Sequence, residues 1–334
     1  QSPNSSSYND YGDGMPFFQG NADFGERYPI TRVWCNTPTK IAQAEDILIS
    51  VRAPIGALNY AKEECCIGRG LAAITPDRNK VSQDFIYWAL KGKKAELNDK
   101  GNGSTFKAIS RKILEETMIP DINFEQQHKC AENLEKIYGI IQNRRKELLA
   151  LDDLIKARFV EMFGDSASNE KGWKMNTFGD ICTVRQGLQI PISKRLTEYE
   201  EDSYEYITVQ YLHGGKEKEY IKSPKESVKC TKDDILMTRT GNTGMVVTNV
   251  EGVFHNNFFL IDFDRERFEK DFLVEYLNLD LIQADITRRA GTSTIPDLNH
   301  GEFYKIKVFE PPIDLQKEFD EFKMQVDKSK FVVI

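Results

Sequence analysis

The sequence predicts an α+β protein built from two similar α+β domains, which are joined and separated by long helices forming an antiparallel coiled coil. The first observation is a repeated strand-like motif, EDILISVRAPIGAL at 45–58 and DDILMTRTGNTGMV at 233–246. The second is that further pairs of similar segments follow in the same order in both copies. The third is a heptad pattern of apolar residues between the copies, which is typical of a coiled coil.

Length and composition indicate the class of protein. A chain of 334 residues is too long for one ordinary core, so two domains are expected. Its 40% hydrophobic and 29% charged residues are typical of a soluble globular protein. The six cysteines lack a CxxC pair, and no signal peptide or membrane-spanning run is visible, which predicts a cytoplasmic protein with reduced thiols. The net charge of −7 argues against a nucleic-acid partner only if the charge is evenly spread.

The duplication extends over most of the chain. With one gap, the opening motifs align Arg52 with Arg239 and Gly56 with Gly244. Four collinear pairs, about 187 to 191 residues apart, predict a duplicated domain rather than a short solenoid repeat. The further pairs are QDFIYWAL (83–90) with KDFLVEYL (270–277), GNGSTFKAIS (101–110) with AGTSTIPDLN (290–299), and MIPDINFEQQ (118–127) with FEPPIDLQKE (309–318).

The repeat also predicts the domain boundaries. GWKMNTFGDICTVRQG (172–187) opens the second copy and has no counterpart in the first, so we expect the N-terminal strand of copy one to be missing. The helix that follows the second copy is shorter than the one that follows the first, and we expect it to be truncated. The predicted parts are domain 1 at 1–120, a central helix at 121–165, domain 2 at 166–311 and a distal helix at 312–334.

The central and distal helices carry one apolar seam each. Apolar residues step by 3, 4 and 7 along the central segment, and by 4, 3 and 4 along the distal one, as in a coiled coil. We predict that the two helices pair antiparallel within the chain. The alternative is two separate amphipathic helices, each packed on its own domain. The seam residues are Leu134, Ile137, Ile141, Leu148, Leu151, Ile155 and Met162, with Leu315, Phe319, Phe322 and Val326.

Motifs that carry catalysis are absent from the sequence. There is no GxxxxGK[ST] phosphate loop, no GxSxG or HExxH motif, and no [DN]PP[YF] stretch of the adenine-methyltransferase type. The cysteines and histidines are not spaced as zinc ligands, and we expect no metal site. The sequence therefore favours a binding protein over an enzyme.

Two copies of the pattern W…FGDI…QG…DILMTR…G…GTST…L…PP…Q, each followed by a heptad helix, resemble one family. It is the specificity subunit of type I restriction–modification enzymes, and the resemblance covers nearly the whole chain. It implies two target-recognition domains that read the halves of a bipartite site in double-stranded DNA. It also implies a non-catalytic chain whose helices act as a spacer and dock methyltransferase subunits, with a motor-endonuclease subunit joining them. S-adenosylmethionine, ATP and Mg²⁺ would then belong to the partner subunits, and none to this chain.

Polar and basic residues near the predicted loops are the candidates for DNA contact, since cations bind phosphates while amides, hydroxyls and arginines read base edges. Residues in 13–40 and 200–230 differ between the copies and are expected to carry specificity. In copy one the candidates are Gln19, Asn21, Arg52, Arg69, Lys91, Lys93, Lys94, Asn102, Ser104, Thr105 and Lys107. In copy two they are Arg185, Gln186, Tyr206, Gln210, Arg239, Asn242, Arg288, Arg289, Ser293 and Thr294.

Structural roles are the alternative for these residues. Arg52 and Arg239 could pair with Asp46 or Asp234, the Ser-Thr pairs could serve turns, and the basic clusters could be solvated faces. For the chain as a whole, other hypotheses are the recognition region of a single-chain restriction–modification enzyme, a scaffold that binds a protein, and an altered specificity gene kept without partners.

Overall fold

The computed structural model describes residues 2–103, 107–212, 214, 217–291 and 296–333. By contacts the chain divides into two compact units, Gln1–Asn143 and Arg144–Ile334. We call them unit 1 and unit 2. The boundary falls inside a 40-residue helix, so each unit includes one part of it. Helices and strands are mixed throughout, which confirms the predicted α+β class.

Unit 1 is built from short strands in two sheets. The strands are β1 (Tyr8–Asn9), β2 (Met15–Phe18), β3 (Trp34–Cys35), β4 (Ile41–Ala42), β5 (Ile47–Ser50), β6 (Leu58–Tyr60), β7 (Cys65–Ile67) and β8 (Leu71–Ile74). One sheet has the order β1-β3-β2-β7-β4, in which β2 and β7 run parallel. The other has the order β6-β5-β8 and is antiparallel. Strand β5 is buried along its whole length, as its apolar sequence ILIS predicts.

The helices of unit 1 cover the β6-β5-β8 sheet. They are α1 (Gln83–Gly92), α2 (Lys94–Asp99), α3 (Arg111–Glu115) and the start of α4 (Phe124–Phe163). Helix α1 begins where the Ser82 hydroxyl accepts a hydrogen bond from the Phe85 amide, a standard N-cap. Its buried face, which includes Phe85 and Tyr87, packs in one cluster with Ile47 of β5 and Tyr60 of β6.

Unit 2 contains the longer set of elements. Its strands are β9 (Lys174–Thr177), β10 (Cys182–Gln186), β11 (Ser203–Ile207), β12 (Tyr220–Lys222), β13 (Lys229–Cys230), β14 (Ile235–Thr238), β15 (Val246–Val247), β16 (Gly252–Phe254), β17 (Phe258–Phe263) and β18 (Lys307–Glu310). Its helices are α5 (Phe178–Ile181), α6 (Val209–Leu212), α7 (Lys270–Asn278), α8 (Asp280–Ala290), α9 (His300–Tyr304) and α10 (Ile313–Val333), besides the end of α4. The strand orders are β10-β17-β14-β15, β12-β11-β16-β13 and β18-β9.

The strand topology shows that the two units are copies. Strand β14 lies between β15 and β17 as β5 lies between β6 and β8, and all four pairings are antiparallel. Strand β11 runs parallel to β16 as β2 runs parallel to β7. Strand β10, from the segment that the sequence assigns to copy two alone, adds an edge beside β17. The predicted duplication is thus confirmed, and it extends through 13–40 and 200–230, where the two sequences do not match.

Backbone hydrogen bonds correct the predicted alignment of Arg52 with Arg239. The amide of Val51 donates to the carbonyl of Gly70 at 2.9 Å, and the amide of Arg239 donates in the same way to Asn257 at 2.7 Å. Val51 and Arg239 therefore occupy equivalent positions, and the repeated motifs align without a gap. The one-residue shift matters because successive side chains of an extended segment point in opposite directions.

Helices α4 and α10 lie antiparallel in unit 2, as predicted. The Arg158 guanidinium lies 3.0 Å from the Glu318 carboxylate, and the Lys330 amine lies 2.7 Å from the carboxylate of Asp152. Residue numbers along α4 therefore decrease in the direction in which those of α10 increase. The ring of Phe319 is packed between these helices, with its centroid 5.3 Å from that of Phe159.

The predicted seam is buried in one part and exposed in another. Helix α10 also contacts α7, where Lys323 lies 3.1 Å from Asp271 and 3.0 Å from Glu275, so it packs on its own unit as well as on α4. Ile155, Met162, Phe319 and Val326 are buried, while Leu148, Leu151, Leu315 and Phe322 are half-buried. Leu134, Ile137 and Ile141 are exposed at 40%, 53% and 43%.

No helix within the described ranges has the length and apolar content that crossing a membrane requires.

Candidate nucleic-acid interface

An open groove in unit 1 brings together three of the predicted DNA-contact residues, Gln19, Arg52 and Arg69. Its volume is about 810 Å³. The Gln19 side chain, just after β2, accepts a 3.3 Å hydrogen bond from the Ser2 hydroxyl, which in turn accepts from the Arg69 amide at 2.9 Å. The groove is lined by Ser2, Tyr8, Phe17, Gln19, Val33, Arg52 and Arg69.

Arg52 and Arg69 are both exposed. Arg52 follows the end of β5, where its backbone pairs with Ala108, and Arg69 lies in the turn between β7 and β8. Neither guanidinium forms an ion pair or a hydrogen bond with any residue in the described part of the chain. The groove is therefore cationic and contains no acidic side chain among its described lining residues.

The KGKK cluster of unit 1 is less exposed than the sequence indicates. The Lys91 amine lies 3.9 Å from the ring centroid of Tyr138 and 4.7 Å from that of Trp88. Burial, together with the nearby positive charges, lowers the pKa of Lys91. Lys93 forms an ion pair of 2.7 Å with Glu96, whereas Lys94 is exposed.

The remaining candidates of unit 1 are mostly exposed. Asn102 and Lys107 are exposed beside the backbone pairing of Asn102 with Ala108, and Asn21 begins a short 3₁₀ helix, Asn21–Asp23, in a half-buried position. Ser104 and Thr105 lie outside the described residues.

In unit 2, Arg239 and Tyr206 have internal partners. The Arg239 guanidinium binds Asp297 through two hydrogen bonds, Nε to Oδ1 at 3.0 Å and Nη2 to Oδ2 at 2.8 Å. Asp297, rather than Asp234, is thus its partner. Tyr206 is 1% exposed, and its hydroxyl donates to the Leu188 carbonyl at 2.8 Å and accepts from the Ile190 amide at 3.0 Å. Burial raises the pKa of Tyr206.

The pair Arg288 and Arg289 is not a fully exposed basic cluster. Arg289 is 16% exposed and binds Asp285 at 2.8 Å and Glu302 at 3.2 Å, which raises the pKa of Arg289. Arg288 is more exposed and also forms an ion pair with Asp285. Both positive charges are therefore partly neutralised within α8 and by α9.

The other candidates of unit 2 lie near strand ends. Arg185 donates to the carbonyl of Ser227 at 3.2 Å, while Gln186 reaches the carbonyl of Asn256 at 3.5 Å. Gln210 on α6 and Asn242 after β14 are exposed. Ser293 and Thr294 lie outside the described residues.

Arg27 is a residue of unit 1 that sequence reasoning missed. Its guanidinium lies 4.6 Å from the ring centroid of Tyr87 and 5.2 Å from those of Trp88 and Tyr138, and it forms an ion pair with Glu135 of α4. This cation–π contact attaches the segment 13–40 to the helix. No spacing pattern signals it, because the rings come from distant parts of the sequence.

No group of three or more His, Cys, Asp or Glu side chains in the described part of the chain is placed to hold a metal ion.

Comparison with known proteins identifies the family. The family model of the type I restriction modification DNA specificity domain matches residues 2–151 and again residues 170–330. A Methanocaldococcus jannaschii protein, provisionally named as the type I restriction enzyme MjaX specificity subunit, is 46% identical over 147 residues, which are 44% of this chain and 35% of that protein. The type I restriction enzyme MjaIX specificity subunit of the same organism is 28% identical over 57% of this chain and 48% of its own length.

A solved structure shares the fold. The type I restriction–modification system S subunit from M. genitalium aligns with 100% of this chain and 87% of its own, with a TM-score of 0.60 and 18% identity. The chain spans less than half the length of each of these two curated relatives. Since the family model covers most of the sequence, the chain belongs to the family of type I restriction–modification DNA specificity domains and carries two of them.

Proposed function

We propose that this chain is a specificity subunit that binds a bipartite site in double-stranded DNA, with one half-site read by each unit. The observation that carries the proposal is that the two units share one strand topology but differ in the side chains of their loops. In unit 1 the groove holds two arginines that have no partner among the described residues, whereas the equivalent part of unit 2 holds an arginine bound to Asp297. Two units of one architecture that present different side chains suit a DNA site of two parts, each of which is contacted differently.

The net charge of −7 is compatible with this function, because the described lining of the Arg52–Arg69 groove has two arginines and no acidic side chain. Ion pairs neutralise many of the surface carboxylates, as at Glu96, which binds both Lys93 and Lys100 at 2.7 Å. The two arginines of the groove, which have no carboxylate partner among the described residues, can then act on a phosphate at short range, since salt screens charges farther away than about 8 to 10 Å. We expect the isolated chain to bind DNA weakly.

We also propose that the chain acts with partners and performs no catalytic step itself. Methyltransferase subunits dock on the helices and bind S-adenosylmethionine, and a motor-endonuclease subunit binds ATP and Mg²⁺. Support comes from the family, whose relatives are named specificity subunits. The purified chain should transfer no methyl group from S-adenosylmethionine to DNA until a methyltransferase subunit is added. Methyl transfer by the chain alone would contradict this part of the proposal.

Mapping of methylated adenines in the source genome tests the function as a whole. With the gene deleted, one split motif of two defined halves around a fixed gap should lose its methylation. Exchange of residues 172–310 for the corresponding part of another specificity subunit should change one half of the motif and leave the other. If no adenine motif depends on the gene, the proposal fails and a protein-binding scaffold becomes the better hypothesis.

A further inference from the structure

We propose that the Arg52–Arg69 groove of unit 1 is a phosphate clamp for the DNA backbone, and that unit 2 has no such clamp at the equivalent place. The inference rests on the proposed function, which supplies DNA as the ligand. It goes further because it separates the two units by the kind of contact that each makes.

Arg52 of unit 1 and Thr240 of unit 2 occupy equivalent positions. Arg52 pairs through its backbone with Ala108, and the corresponding pairing in unit 2 joins Thr240 and Asp297. An arginine in unit 1 thus stands where unit 2 has a threonine. Ala108 likewise stands where unit 2 has the carboxylate that binds Arg239.

Arg69 can be placed in the same way. In unit 1 the turn before β8 is closed by the Leu71 amide, which donates to the Gly68 carbonyl at 3.2 Å. In unit 2 the Phe258 amide donates to the His255 carbonyl at 2.9 Å. Arg69 therefore corresponds to Asn256, which is half-buried and uncharged. Both cations of the groove are replaced by neutral residues in unit 2.

The described lining of the groove carries a net positive charge. Two guanidinium groups that line one groove repel each other, and the described lining offers no carboxylate to offset them. Such an arrangement is stabilised by the DNA backbone, whose neighbouring phosphates can give each guanidinium its own anionic acceptor. A phosphodiester has the charge and the oxygen geometry that guanidinium groups bind in a bidentate manner.

Arg52 and Arg69 suit contact with a phosphate better than contact with a base edge. Reading a base requires a side chain that is held in one geometry by supporting contacts. Arg239 is held in this way by Asp297, but Arg52 and Arg69 have no partner among the described residues and can adopt several rotamers. Phosphate binding tolerates that freedom, because contacts to the backbone position a protein without carrying sequence information.

The test measures how DNA affinity depends on salt. The full chain and its variants are titrated with a pool of fluorescent duplexes that have a randomised centre, between about 50 and 200 mM salt. Arg52→Ala and Arg69→Ala should each weaken binding about tenfold and lower the slope of log K against log salt by about 0.9. Arg52→Lys should retain most of the slope, because it keeps the charge.

Arg78→Ala is the matched control. Arg78 is exposed in unit 1, does not line the groove, and its loss changes the net charge by the same amount. Its slope should stay near that of the wild-type chain. Circular dichroism melting of each variant checks that the exposed substitutions leave the fold intact.

Two results would overturn the clamp. In the first, Arg52→Ala and Arg69→Ala shift the slope no more than Arg78→Ala does. In the second, the slope is unchanged but the sequences selected from the pool differ, which would make the groove a base reader. Absence of binding by the wild-type chain, with or without methyltransferase subunits, is a different failure, since it overturns the proposed function together with the clamp.

Discussion

Phe319 packs α10 against the end of α4 in unit 2, and its replacement by alanine tests that packing. The side chain is fully buried, with ring centroids 5.3 Å from Phe159 and 5.6 Å from Phe163. Truncation of a buried Phe costs about 3 to 5 kcal/mol, and each lost aromatic pair adds to the loss of packing energy. We therefore expect Phe319→Ala to lower the free energy of unfolding of unit 2 by about 4 kcal/mol.

The assay has to report unit 2, because the packing of Phe319 lies within that unit. Trp173 is suitable because its indole N–H donates to the Phe163 carbonyl at 2.8 Å and its ring packs against the same core. Urea unfolding followed through the Trp173 indole signal by NMR gives the free energy. Met324→Ala, on the same helix at 50% exposure, is the control and should change it by less than about 0.5 kcal/mol. A loss of less than about 1 kcal/mol for Phe319→Ala would refute the packing argument.

Three further predictions concern an ion pair, a carboxyl group and the seam. Asp297→Ala should cost about 1 kcal/mol of stability, because it releases the half-buried Arg239; equal unfolding curves for mutant and wild type would contradict this. Burial and neighbouring carboxylates raise the pKa of Asp320 to about 7, above its unfolded value of about 3.9. The folded state therefore binds the proton more tightly than the unfolded state, and stability falls as pH rises from about 4 to about 7. In urea titrations, Asp320→Asn should remove this pH-dependent fall in stability. A fall of unchanged size in the variant would show that Asp320 is not its source. Ile155→Ser should cost about 3 kcal/mol, whereas Ile137→Ser should cost less than about 0.5 kcal/mol, and similar thermal shifts for both would be inconsistent with their different burial.

Local pattern was sufficient to predict the architecture. The matching runs ILIS and ILMT became β5 and β14, both buried along their whole length, because short apolar runs of β-forming residues suit a covered sheet. The heptad steps predicted α4 and its antiparallel partner, since a regular seam requires a second helix. The segment 172–187, absent from copy one, became β9, α5 and the edge strand β10.

Side-chain partners could not be predicted in the same way. Lys91, Arg239 and Arg289 all read as available cations, but the structure pairs them with aromatic rings or carboxylates from elsewhere in the chain. The partners Tyr138, Asp297 and Glu302 lie 47, 58 and 13 residues away in sequence, too far for a local pattern to link them, although Trp88 and Asp285 also contact Lys91 and Arg289 from within one helical turn. Whether a basic side chain has a partner depends on the fold, and Arg52 has none within the described part of the chain.

By itself, the sequence determined the family resemblance, the duplication and the two long helices, because each depends on periodicity and on segments that are repeated along the chain. Only the tertiary structure decided that Arg52 and Arg239 are not equivalent. A shift of one residue is a small matter in an alignment, yet in an extended backbone it turns a side chain to the opposite face. That shift leaves Arg239 against Asp297, and it leaves Arg52 in an open groove with no partner among the described residues. Only the fold therefore separates the arginine that a carboxylate holds from the one that we propose as a phosphate contact.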